Sequence, residues 1–138
     1  MKTVTNGSFA PNEIAKALLS NTLQLVFLVD EQFHIRAFNE MARVNMEMLR
    51  GKPVEEGEHF LGFVQPDQLD VVEKELKAAL AGHVISGTKK LVNKDGKSIF
   101  TRYNYNPVRD ESGKVFALCL SYQDLTPEVQ AKEDAILR

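Results

Sequence analysis

Between Lys97 and Asn106 the chain alternates: Ile99, Thr101, Tyr103 and Tyr105 fall on one side of an extended backbone, and Ser98, Arg102, Asn104 and Asn106 on the other. Phe100 is the one apolar residue among the polar set. A period of two built from aromatic and β-branched residues predicts a strand with one buried face. Val115 to Tyr122 is instead almost continuously apolar, the pattern of a strand covered on both faces. Arg109-Asp110-Glu111-Ser112-Gly113 between them has turn chemistry, and Pro107, which lacks an N–H, is expected to close the first strand. This hairpin belongs at the centre of an antiparallel sheet. If Tyr122 faces inward, so do Phe116, Leu118 and Leu120. Val115, Ala117, Cys119 and Ser121 then make a small, apolar outer face suited to receive a helix.

The rest of the chain supplies the partners. Pro11 opens a short amphipathic helix with Ile14, Ala17 and Leu18 on one side, too short to stand alone. Leu23–Val29 is a buried strand ended by Asp30, and Phe33–Phe38 a second strand behind a hairpin-length turn. Asn39 is placed to cap a helix whose stripe is Met41, Val44, Met48 and Leu49, and which Gly51 ends. His59–Val64 reads as one short turn of helix. Pro66-Asp67 starts the longest helix, with Leu69, Val72, Leu76 and Leu80 at helical spacing and Gly82 at its close. Val84–Val92 returns to strand, and Asn93-Lys94-Asp95-Gly96 turns into the hairpin. After it, Thr126 is expected to cap a helix with Pro127 in first position. Five strands cannot bury both faces among themselves, so the internal helices should cover one. The expected class is α+β, a five-stranded antiparallel sheet with helices on one face. The divisions are 1–22 for the tail and flanking helix, 23–126 for the domain, and 127–138 for the start of a linker helix.

Composition narrows the function. A chain of 138 residues with 43% apolar and 26% charged residues is long enough for one real core and is not a disordered composition. A net charge of −2, with no stripe of Lys or Arg, offers no field for nucleic acid. No apolar run is long enough to span a membrane, no secretory leader pattern opens the sequence, and the single cysteine excludes an internal disulfide. A cytoplasmic location is expected.

The ordered set of Asp30, Asn39, Leu49-Arg50-Gly51, Pro66-Asp67, Ala79-Leu80-Ala81-Gly82, Asp95-Gly96, Pro107-Val108-Arg109-Asp110, Gly113 and Asp124-Leu125-Thr126 resembles a PAS domain, the small sensor module of bacterial signalling proteins. Each piece is common; their joint order and spacing carry the resemblance. Phe33 departs from it, standing where such modules often have Gly. The resemblance implies a sensory and dimerisation module, without catalysis of its own, covalently linked to an effector such as a histidine kinase. It also implies a pocket between sheet and helices, in which Leu61 would be one lining residue.

Flavin-binding members of this family carry a reactive cysteine in an NCRFLQ-like motif before Pro-Asp. Here the stretch is Phe60-Leu61-Gly62-Phe63-Val64-Gln65, with Leu61 in the cysteine's place and Tyr122 where the flavin-facing Gln of the last strand would stand. Haem-binding members use a histidine on the long helix, and residues 67–81 contain none. Flavin and haem are therefore not expected, and no other cofactor is assigned. His34, His59 and His83 lack paired spacing for a metal.

Thr101, Tyr103, Tyr105 and Tyr122 share the inward face and their hydroxyls need partners there. They read either as a ligand pocket with polar tips or as an aromatic core with hydroxyls at its rim. Cys119 reads as packing. A rival class is a small isomerase-like enzyme with a curved-sheet cleft, in which Tyr103, Tyr105 and an acid such as Asp30 would act. Association is expected to be a homodimer through the first helix and the outer sheet face.

Overall fold

A computed structural model describes residues 23–92 and 95–136. The expected helix bearing Ile14, Ala17 and Leu18 lies outside the described residues, as do Asn93 and Lys94 of the turn before the central hairpin.

Five antiparallel strands form one sheet: β1 (Leu25–Asp30), β2 (Ile35–Phe38), β3 (Ile85–Val92), β4 (Ser98–Arg109) and β5 (Val115–Asp124), in the spatial order β2-β1-β5-β4-β3. The predicted hairpin is thus β4–β5, with β5 in the middle position of the sheet. Between β2 and β3 the chain makes α1 (Glu40–Arg50), 3₁₀ turns at Phe60–Phe63 and Pro66–Gln68, and α2 (Leu69–Leu80). Helix α3 (Thr126–Ile136) leaves from the end of β5. The α+β fold with a five-stranded antiparallel sheet is as the sequence predicts.

Local chemistry explains the joints. Asp30 ends β1 by accepting from the amides of Gln32 and His34 and from Arg36 Nε. Burial opposes its charge, yet the His34 amide and the Arg36 guanidinium prevail and hold its carboxyl below the ordinary value. Phe33, where a glycine was the family pattern, takes φ +67°. The left-handed conformation costs a side chain roughly 1–2 kcal/mol. The buried Phe33 ring, packed into the core and perpendicular to the His59 ring, offsets that. Asn39 does more than cap α1. Its Oδ1 accepts from Ala42 N and Val26 N, and its Nδ2 donates to Gln24 O, so one side chain ties α1 to β1. Gly51 ends α1 in the left-handed conformation at φ +78°.

Three details correct the sequence reading. Helix α1 buries Ala42 and Met46, with Leu49 packed beside them, while Val44 and Met48 are exposed. The buried stripe thus keeps Leu49 but uses Ala42 and Met46 in place of Val44 and Met48. Pro107 does not close β4, which continues to Arg109; β3 pairing ends at Tyr105, so Pro107 has a free flank and its missing N–H costs no ladder bond. The β4–β5 register jumps from Val108↔Ala117 to Arg109↔Val115, leaving Phe116 as the extra residue of a bulge. That reverses the faces at this end: Phe116 is 46% exposed and Val115 packs on the core. Thr126, expected to cap α3, is the residue at which that helix opens. Its amide is held by Asp124 Oδ1, and its own Oγ1 accepts from Phe100 N.

The core lies between the inward sheet face and the helices, centred on Phe27, Ile35, Leu76, Tyr105, Leu118 and Leu120. On α2 the stripe holds as predicted: Val72 and Leu76 are buried with Ala79, and Leu80 packs beside them. On the outer face Ala117 and Ser121 are buried and Cys119 is half-buried.

Candidate functional site

The alternation of β4 directs Thr101, Tyr103 and Tyr105 beneath the helices, and all three are buried. Pairing sets Tyr103 opposite Tyr122 and Thr101 opposite Asp124. Tyr122 then stacks between Phe60 and Tyr103, with ring centres 6.3 and 6.4 Å away. The hydroxyls find partners inside the protein. Tyr105 and Tyr122 share a hydrogen bond of 2.7 Å, and Tyr103 donates to Glu75 Oε2 at 2.5 Å from α2. Burial, reinforced by the Glu75 carboxylate, pushes the Tyr103 phenol up to about 12. Burial likewise raises Tyr105 and Tyr122. At neutral pH these phenols are protonated donors.

The third strand completes this layer. Gly87 pairs with Tyr103, and a Cβ there would stand 3.0 Å from the phenol oxygen. Only glycine lets the ring lie so close to β3. Two residues on, Lys89 pairs with Thr101 and shares the inward parity of Ile85, Gly87 and Leu91. Its Nζ lies 4.2 Å from the centre of the Tyr103 ring. Desolvation lowers its pKa, and the attraction of Glu75 works the other way. Glu75 Oε1 is buried without a hydrogen-bond partner.

Beside the tyrosine layer is a cleft of about 180 Å³ between the sheet and the helices. Phe27, Met46, Phe60, Phe63 and Val72 supply its apolar wall, and Asn45, Gln68, Lys89, Thr101 and Asp124 its polar points. Two contacts frame it. Gln65 Nε2 donates to Val92 O, joining the segment after the first 3₁₀ turn to the end of β3. The Arg50 guanidinium sits 3.9 Å from the Phe63 ring centre and is paired with Glu58.

Of the residues picked out from sequence, Thr101 and Tyr122 line this cleft. Tyr103 and Tyr105 form the packed layer next to it, outside its lining. Leu61 packs against the core, because its 3₁₀ turn presents Phe60 and Phe63 to the cleft: residues three apart eclipse in that geometry. Asp30, the acid imagined for an isomerase, is committed to its hairpin. Glu75 is the acid that meets the tyrosines, and it was missed together with Lys89. The signal for Lys89 was its parity with Ile85, Gly87 and Leu91. For Glu75 it was adjacency to Leu76, which rotates it onto the margin of the buried stripe.

The cleft also touches the exit of the domain. Asp124 lines it and holds Thr126 N at 2.8 Å, while Leu125 N donates to Phe100 O at 2.6 Å and Phe100 N donates to Thr126 Oγ1 at 3.0 Å. Three hydrogen bonds thus fix where α3 departs. Cys119 has its thiol pushed up by burial, the setting of an unreactive side chain. Among the described residues no group of three or more His, Cys, Asp or Glu could hold a metal ion.

A family model described as "PAS fold" matches residues 19–130. No curated protein matches the chain. Among solved structures, the PAS domain of a protein from Colwellia psychrerythraea is 20% identical, with a TM-score of 0.65 over 84% of this chain and 97% of that one. A sensory box sensor histidine kinase from Vibrio cholerae is 18% identical, with a TM-score of 0.56 over 87% and 98%. The Vibrio cholerae VqmA–ligand–DNA complex is 18% identical, with a TM-score of 0.66 over 87% of this chain and 53% of that one. At these identities the likeness is one of fold.

Proposed function

Because the chain belongs to the PAS fold family, we propose that it is a sensory module that takes a small molecule in the cleft and passes the event through α3 to an attached effector, such as a histidine kinase. The observation that carries this is the position of Asp124. One carboxylate lines the cleft and holds the first amide of the exit helix. A ligand that contacts Asp124 or Thr101 differently in two arrangements of this junction shifts their populations; one that does not shifts nothing. The VqmA structure is that of a protein with a bound ligand and DNA, which supports a ligand in this fold without naming one for this chain.

The same reading excludes flavin and haem from the cleft. Leu61 stands at the thiol position, α2 carries no histidine, and the space is below the roughly 300 Å³ at which cofactor and drug pockets begin. The effector would work as a pair. From Pro127 on, helix α3 is exposed wherever its side chains are described, with Ile136 at 81%, and a helix of 11 residues is marginal by itself in water. A homodimer through the first helix and the outer sheet face would set two such helices side by side, their splay carrying the signal. We place the module in the cytoplasm; among the described residues no helix is long and apolar enough to cross a membrane.

Amide hydrogen exchange on the purified protein, with and without a bound small molecule, tests the central claim. Protection at Leu125 and Thr126 should change on binding. A molecule seated in the cleft that leaves both amides untouched removes the coupling.

A further inference from the structure

The inward side of a sheet covered by helices is a costly place for a lysine. Lys89 is there by strand parity, set opposite Thr101, with the Tyr103 ring against its ammonium. Among the described residues it makes no ion pair within 4.0 Å: the seven ion pairs engage other side chains, and Glu75, the acid nearest in effect, gives its Oε2 to Tyr103. An ammonium half out of water and short of acceptors attracts an anion. Its register partner Thr101 brings a hydroxyl to the same spot, since directly opposed side chains stand about 5 Å apart. Two donors therefore lie side by side at one end of a cleft whose remaining wall is largely Phe27, Met46, Phe60, Phe63 and Val72. The other charged residue of the lining, Asp124, has one carboxylate oxygen taken up by Thr126 N. Size sets the rest. A cavity of roughly 150 Å³ accommodates a benzene ring, and this one measures about 180 Å³.

We propose that the cleft selects a compact carboxylic acid, its carboxylate on Lys89 and Thr101 and its ring or short chain against Phe27, Met46 and Val72. The proposal rests on the reading of the cleft as a ligand site and adds the ligand's charge and size. The lowered pKa of Lys89, caused by desolvation, agrees with it, because a bound carboxylate restores the favoured charge.

Ligand-observed NMR titration with benzoate, benzamide and toluene at neutral pH tests it, on the intact chain and on Lys89→Met and Thr101→Val. Benzoate should bind the native chain about tenfold more tightly than benzamide. Lys89→Met should abolish that preference and leave toluene unchanged, and Thr101→Val should reduce it in part; thermal melts of both variants report folding independently. Equal affinity for benzoate and benzamide, or a preference that survives Lys89→Met, overturns the carboxylate inference and leaves the cleft as a site for neutral guests. Binding of none of the three removes the ligand-site reading itself, and this inference with it.

Discussion

The inward face of one sheet is treated in two opposite ways. Around Tyr105 it is filled: Leu76 of α2 lies in the same core, the three phenols bond to one another or to Glu75, and Gly87 yields its side-chain space to Tyr103. Toward the first 3₁₀ turn and the strand ends at Leu25, Asp124, Ile99 and Leu91, the same layer opens into a cleft whose polar groups, Lys89 and Thr101 among them, face unfilled space. Both regions are built from inward positions of alternating strands. What separates them is the covering element. Helix α2 lies directly on the β4–β5 end, whereas 3₁₀ turns and the edge of α1 only partly cover the other. The lesson is that a polar residue on an inward face belongs to the core when its partner is already present, and to a site when it is not.

If that division is real, the largest effect belongs to the filled half. Leu76 is fully buried, so Leu76→Ala should cost about 2–5 kcal/mol in denaturant unfolding. A loss below about 0.5 kcal/mol, the range of surface changes, would mean α2 does not pack here at all.

Tyr103→Phe comes next, because it leaves Glu75 with neither oxygen bonded; the expected loss is about 1–3 kcal/mol. The pH dependence has a definite sign. Tyr103 is raised in the fold to about 12 from 10.0, so its neutral form is the favoured one. The stability it contributes is fully present below pH 10.0 and falls as pH climbs toward 12, since the unfolded chain releases the proton first. Unfolding curves between pH 8 and 11 should show the native chain weakening at the alkaline end, and Tyr103→Phe weakening less. Parallel pH profiles would place the Tyr103 hydroxyl in water, outside the filled half.

How much of this was legible from sequence follows the same division. The β4 alternation placed Thr101, Tyr103 and Tyr105 inward because a period of two has one phase once a face is buried. Asn39 and Gly51 marked the ends of α1, since caps depend on local backbone needs. The phase of β5 near Phe116 was lost to a bulge, an inserted residue with no signature in an apolar run. The face of α1 was misjudged because large apolar residues drew the stripe toward Val44 and Met48, while the buried face holds the small Ala42 beside Met46. Glu75 and Lys89 were passed over for a general reason. Charged residues are taken as solvated unless register shows otherwise, and the register of β3 on β4 follows from pairing across the sheet.

The smallest expected effect is the sharpest test of the open half. Lys89→Met removes a charge whose burial is unfavourable, together with its contact with the face of Tyr103, worth about 0.5–1 kcal/mol where partly exposed. The thioether chain recovers apolar contact with the same ring. The two terms oppose each other, so the net change in unfolding free energy should stay within about 0.5 kcal/mol of zero. Equilibrium denaturation of this variant beside Tyr103→Phe measures it directly. A loss above about 2 kcal/mol would show that Lys89 is already paired in the folded chain, with Glu75 as the acid in reach. Lys89 would then belong to the filled half, and the boundary between core and site would have to be moved past Thr101.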